Sequence, residues 1–362
     1  MLNFFVPLNS LGYGVHSYNL LQAYERYVSD DFAVYPIPQW ELINEQTKRW
    51  VERGNRFRRS DPGITINQAP QLNRFCGQPM IGFPVFELDI LSEYDQAMIA
   101  GMDAILQTSR WGKKVLENHG IRRVHIVPEG YDPEVYHPEL SLEEKRKRID
   151  RQGVTFVHVG KFEPRKSSQE LLFAFIKATE DAKCRANLLF HVFNPFDPAW
   201  FERAKCILDN YQFRREGNRF MKGNATVLIP EVRLDGKMDK FYSLGEFGLW
   251  ASKAEGWNLP LIECLACGLP CLTTDNTAQS EFIRKEIYPR ELVISSRQTE
   301  PAKEGGEWWR LDLDEVVGKI RQVLDDPDRH LKMQDACQES IRPFTWENAA
   351  RKLDAALKEI CG

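Results

Sequence analysis

The sequence predicts an α/β protein built of two Rossmann-like, parallel-sheet domains in tandem, with a cleft between them. Three observations carry this. Short apolar segments alternate with amphipathic helical ones almost from the first residue, the pattern of parallel strands joined by crossover helices. The alternation breaks once, at a charged stretch over 139–151, and then restarts. The chain has 362 residues, 43% of them hydrophobic, which is more than one domain of roughly 150 residues needs.

Strands are predicted at 2–8, 33–35, 63–67, 79–83, 103–107 and 123–127, with helices at 14–28 and 110–119 among them. The stretch 139–151 is dominated by Glu, Lys and Arg and reads as an interdomain linker carrying a helical turn. Beyond it, strands are predicted at 154–159, 188–193, 226–229, 247–251, 270–273 and 292–294, with a helix at 167–178. The last helix is predicted at 345–360, capped by Thr345 and with Glu347 in its first turn. The expected division is a first domain over 1–150, a second over 153–343 and a terminal helix over 344–362.

Composition narrows the function. With 48 basic and 52 acidic residues the net charge is −4, so the chain as a whole is no basic nucleic-acid binder. No apolar run approaches the ~18 residues of a membrane span. The first eight residues are broken by Asn3 and Pro7 and lack the basic leader of a secretory signal. The eight cysteines are scattered and expected to be reduced. Together these predict a cytoplasmic location. One basic run stands out: Lys48, Arg49, Arg53, Arg56, Arg58 and Arg59 oppose only Glu52, with Trp50 and Phe57 interleaved. It reads as a solvated basic face, or as a contact for anionic lipid at the inner face of a membrane or for a phosphorylated acceptor.

Ligands of parallel sheets bind at the carboxyl ends of the strands, so the loops there carry the chemistry. In the first of these, Gly12 and Gly14 form a lone G-x-G between strand and helix. A dinucleotide fingerprint needs a third glycine at 17, which is Ser17, and this argues against a dehydrogenase. The second loop, Gly160-Lys161-Phe162-Glu163-Pro164-Arg165-Lys166-Ser167, offers two cations, Lys161 and Lys166. They suit an anion that gains charge during a reaction, or are ordinary surface charge.

The third loop is the most informative. Ala254-Glu255-Gly256-Trp257-Asn258-Leu259-Pro260 leads into a short helix that Gly268 is placed to end. Gly256 admits close approach to the backbone, and the amides of 257–259 lie at a helix N-terminus, a ready anion site suited to a diphosphate. Glu255 precedes that helix and Glu263 is expected in its first turn. Two carboxylates beside an anion site suit a ligand that carries hydroxyls on both sides of a diphosphate, as a nucleotide sugar does. Read alone, they equally serve as charges on a helix N-terminus.

The E-x7-E spacing of Glu255 and Glu263, within Glu-Gly-Trp-Asn-Leu-Pro followed by Glu-Cys-Leu-Ala-Cys-Gly-Leu-Pro, resembles the signature of retaining GT-B glycosyltransferases of family GT4. The segments 124–138 and 344–350 resemble that family too. The resemblance implies a GT-B architecture with an acceptor-side first domain, a donor-side second domain and a last helix that crosses back to the first. It implies that Glu255 contacts the donor sugar, the amides of Gly256, Trp257, Asn258 and Leu259 hold phosphates, Glu263 binds the ribose, and Lys161 and Lys166 grip the diphosphate. It also implies that Gly12 and Gly14 approach the donor phosphate across the cleft. Many members carry a histidine in the first domain; Phe83-Pro84-Val85-Phe86-Glu87-Leu88-Asp89 holds none, which leaves Glu87, Asp89 and His16 as acceptor-side candidates.

The implied activity is transfer of a hexose of mannose or glucose type from a GDP- or UDP-sugar to a hydroxyl of a glycan, lipid or small molecule. GDP-mannose is the first expectation, with retained configuration, no metal and no permanently bound cofactor. A non-catalytic nucleotide-sugar- or glycan-binding protein of the same fold, or a GT-B sugar epimerase, are the alternatives. Cys264, Cys267 and Cys271 lack a nearby fourth ligand for a structural zinc and read as core. Asp312-Leu313-Asp314 reads as charge at a helix start.

Overall fold

A computed structural model describes residues 1–37, 40–230, 238–303 and 305–362. The first sheet has six parallel strands: β1 (Leu2–Val6), β2 (Phe32–Pro36), β3 (Gly63–Ile66), β4 (Met80–Phe83), β5 (Ala104–Gln107) and β6 (Val124–Ile126). Their order is β2-β1-β3-β4-β5-β6. The second sheet is built from β7 (Val154–Gly160), β8 (Ala186–Val192), β9 (Arg214–Glu216), β10 (Arg219–Lys222), β11 (Ala225–Leu228), β12 (Phe247–Trp250), β13 (Cys271–Thr274) and β14 (Val293–Ile294). Its order is β14-β13-β12-β7-β8-β11-β10-β9. A separate hairpin pairs β15 (Thr299–Pro301) with β16 (Glu307–Trp309).

The central strands read as apolar runs because helices cover both faces. In β7 and β12 nearly every residue is buried. Two pieces of antiparallel structure were not predicted. β9 and β10 extend the second sheet as an antiparallel edge, and β15–β16 lies outside both sheets. Both are short and polar, with too few alternating positions to register as strands.

The charged stretch is more ordered than a linker with one turn. It forms a helix, Leu142–Gln152, opened by a capping box between Ser141 and Glu144. Arg148 docks this helix on the second domain by donating to the carbonyls of Ser243 and Gly245 and pairing with buried Glu246. Lys145 is buried and donates to Gly268 O and Gln334 Oε1. Its burial lowers its pKa to about 8.

The last helix, Trp346–Cys361, is capped by Thr345 and packs against the first, Gly12–Tyr27. The chain thus returns to the first sheet, where Tyr131 bridges Thr345. Cys264, Cys267 and Cys271 are buried thiols around one short helix. No helix among the described residues is long and apolar enough to cross a membrane. The basic run lies away from the cleft. Asp61 N donates to Arg58 O and Asn3 N to Pro62 O, which puts Arg58 and Arg59 beside the amino-terminal ends of β1 and β3.

Candidate functional site

The loops after the strands of both sheets meet in one cleft, and specific contacts cross it. Thr108 Oγ1 donates to Gly256 O at 2.7 Å. Arg110 pairs with Glu281 at 3.0 Å. Asp89 Oδ1 accepts from Glu307 N at 3.0 Å. Glu87 lies 3.5 Å from Arg165.

Glu255 sits at the centre, 3% exposed, just past β12. Its backbone N–H donates to Thr277 Oγ1 at 2.8 Å, which fixes the residue. Lys166 Nζ donates to Oε1 at 2.5 Å and Arg165 Nη1 to Oε2 at 2.9 Å. Burial by itself raises the carboxyl's pKa; Lys166 and Arg165 outweigh burial and hold it down to about 2. Burial lowers the Lys166 pKa, against the attraction of Glu255. The two cations project from a single 3₁₀ turn, Pro164–Lys166, which Ser167 closes in a left-handed conformation.

Lys161, just past the end of β7, has no carboxylate partner among the described residues; its Nζ lies 5.2 Å from the centroid of the Phe196 ring. The Glu255 loop continues through Asn258, at φ 87°, into the helix Leu259–Ala266. None of the backbone N–H groups of Gly256, Trp257, Asn258 and Leu259 has an acceptor among the described residues. Four donors without partners next to a helix N-terminus make a strong anion site.

Several predicted residues sit differently from expectation. Asn258 occupies the N-cap position without capping: its Nδ2 donates to Gln279 Oε1, and its buried Oδ1 has no partner among the described residues. The side chain of Trp257 is core, 2% exposed between Phe282 and Phe344, so only its amide faces a ligand. A Cβ on Gly256 would stand 2.5 Å from Val85 Cγ1 and 3.1 Å from Phe86 O. That glycine admits the opposite domain's loop. A Cβ on Gly14 would stand 2.1 Å from Asn9 O, so Gly14 serves the turn, whereas nothing lies within 4 Å of one on Gly12.

Glu263 falls in the second turn of its helix, because the helix begins at Leu259. Burial raises its carboxyl's pKa to about 7, against hydrogen bonds from Tyr242 and Tyr136. His16 is 2% exposed, its Nδ1 3.0 Å from Glu129 Oε1 and its ring between Phe83 and Trp346. It ties the first helix to the last and does not line an open acceptor surface. Asp89 is engaged by the β15–β16 hairpin, and Glu87 alone of the three acceptor-side candidates reaches the Glu255 cluster.

Sequence reasoning missed Arg165, Glu129 and Thr277. Arg165 lies inside the lysine loop, but spacing alone does not reveal that its guanidinium turns inward.

Residues 246–353 match the model of a family described as "Family 4 Glycosyltransferase in conflict systems". A lipopolysaccharide 1,2-N-acetylglucosaminetransferase of Salmonella typhimurium is 23% identical over 239 residues, 65% of this chain. The chain spans 56% of that relative's length. Sucrose-phosphate synthase from Thermosynechococcus elongatus superposes with a TM-score of 0.71 at 14% identity, covering 99% of this chain and 98% of that one. Anabaena HepE in complex with UDP gives 0.68 at 11% identity, covering 99% of each chain. The fold is GT-B, and Glu255 and Glu263 lie within the stretch that matches the glycosyltransferase family model.

Proposed function

We propose that this chain is a GT4-type glycosyltransferase that moves a hexose from a nucleoside diphosphate sugar to an acceptor hydroxyl, with retained configuration and without a metal. The observation that carries this reading is Glu255, held between Lys166 and Arg165 beside four backbone amides that lack partners among the described residues. Residues 1–150 serve the acceptor, a glycan, lipid or small molecule. Residues 153–343 hold the donor, and the helix within 344–362 joins them. UDP is the first choice of nucleotide, in keeping with the HepE complexes with UDP and with UDP and glucose, and GDP the second. The basic run at 48–59 stays available for peripheral contact with an anionic membrane.

In this mechanism the sugar–phosphate bond breaks and negative charge grows on the departing diphosphate. Lys161, Lys166 and the amides of 256–259 stabilise that charge as it develops. Glu255 accepts hydrogen bonds from the sugar and fixes its orientation. The acceptor hydroxyl attacks from the face the diphosphate leaves, and its proton passes to the leaving phosphate oxygen. Domain closure excludes water.

A metal-free thermal-shift panel with UDP, GDP, ADP and CMP tests the nucleotide site. A ligand at 100 times its Kd adds about 2.7 kcal/mol. The expected result is stabilisation by UDP in the presence of a chelator. No shift with any of the four would discard the site. Stabilisation without donor turnover would favour the non-catalytic binding protein.

Glu263 adds a pH signature. Burial raises its pKa to about 7 before ligand binds, and the ionised form accepts hydrogen bonds from ribose hydroxyls more strongly than the neutral acid. Binding therefore selects the ionised form, so UDP affinity rises as pH rises through about 7 and levels off above it. Calorimetry near pH 7 in buffers of different ionisation enthalpy is expected to show proton release. The same release in Glu263→Gln would refute the assignment.

A further inference from the structure

We propose that Arg165 is a positioning residue: it sets the Glu255 carboxylate and, through Glu87 on the opposite domain, makes that setting depend on closure of the cleft. The proposal rests on the nucleotide-sugar reading above. Arg165 Nη1 donates both to Glu255 Oε2 at 2.9 Å and to Ala254 O at 2.8 Å, so one end of the guanidinium is locked to Glu255 and to the peptide before it. Its Nη2 donates to Glu163 at 2.9 Å and lies 3.5 Å from Glu87. The Arg165 backbone is held as well, since its carbonyl accepts from Lys253 N.

This division of labour matters for Lys166. An ammonium has three N–H donors, and one of them goes to Glu255 Oε1. With Arg165 holding the other oxygen, Lys166 keeps two donors for a diphosphate. Without Arg165, Lys166 still gives Glu255 one donor, and the carboxylate loses the second contact that fixes its plane toward the sugar.

Glu87 makes the arrangement conditional. It rides on the loop after β4, and that loop is pinned at Val85. The Tyr13 hydroxyl donates to Val85 O at 2.5 Å and accepts from Val85 N at 3.0 Å. Tyr13 lies between Gly12 and Gly14. The glycine loop, Glu87, Arg165 and Glu255 thus form one chain of contacts across the cleft. Opening the domains breaks the Glu87–Arg165 link and leaves the guanidinium with partners on its own domain only.

The test uses the full chain with UDP-glucose as donor probe, following UDP release for kcat and KM, and calorimetry for UDP affinity. Arg165→Met is expected to lower kcat at least tenfold while changing UDP affinity less than threefold, because UDP lacks the sugar that Glu255 holds. Arg165→Lys is expected to recover part of the loss and covers the case in which the methionine variant fails to fold. Glu87→Gln, a half-exposed site, is expected to lower kcat severalfold in the wild type and to have no further effect in Arg165→Lys. Equal losses in kcat and UDP affinity, or independent multiplying effects of the two sites, would overturn the relay alone. Absence of UDP binding in the wild type would overturn the nucleotide reading and the relay with it.

Discussion

Lys166→Met is expected to lower kcat by roughly 100-fold or more, the scale on which one donor to a developing anion acts. Lys166 is buried and touches Glu255 at 2.5 Å. Removing it takes away both a cation for the diphosphate and half of the counter-charge on a carboxylate that cannot reach water. Stability therefore falls too. Breaking a buried pair costs ~3–5 kcal/mol when the remaining charge has no other partner. Here Arg165 still holds Oε2, so the loss is expected to be smaller. Steady-state turnover at saturating donor, read beside the melting temperature, separates the two effects. Near-normal kcat in a folded variant would remove Lys166 from the site.

Glu255→Gln is expected to lower kcat by a similar ~100-fold with the opposite effect on product affinity. The amide keeps the shape of the side chain and loses its charge, so Lys166 faces the diphosphate without a competing anion. UDP is then expected to bind as tightly as to the wild type, or more tightly. A parallel loss of UDP affinity would mean that Glu255 organises the phosphate site and does not act on the sugar. The same variant tests the electrostatics by acid. The Glu255 carboxyl is held at about 2 against an ordinary 4.5. The lowered value means that its contribution to stability is fully present above about pH 4.5 and is lost as pH falls toward about 2. Denaturant midpoints measured across that window are expected to fall more steeply for the wild type than for Glu255→Gln.

The relation between sequence and site is uneven in an instructive way. The β/α alternation is local, and so β1 to β8 and β11 to β14 stand close to where period and apolarity put them. The helix before β7 was hidden because its surface is almost all charge. What orders it is the Ser141–Glu144 box and the fork of Arg148 on the second domain, and only the first is a local signal. The Glu255 loop was legible because a helix N-terminus, two glycines and two carboxylates are crowded into one short segment. The surroundings of His16 and Asp89 were illegible for the same reason that Arg165 was missed: in a single chain a polar side chain carries no record of which way it turns.

What the sequence by itself determined is the architecture and the strand–loop–helix grammar around Glu255, because strand and helix periodicity, caps and left-handed glycines are properties of neighbouring residues. What only the tertiary structure decided is the electrostatic arrangement. Residues 87, 165, 166 and 255 come together across two domains, and their charges act over a few ångströms of low-dielectric interior. Glu255 is held ionised by two buried cations, whereas Glu263, buried without one, is pushed toward neutrality. That difference depends on burial and on partners distant in sequence, and spacing along the chain contains neither.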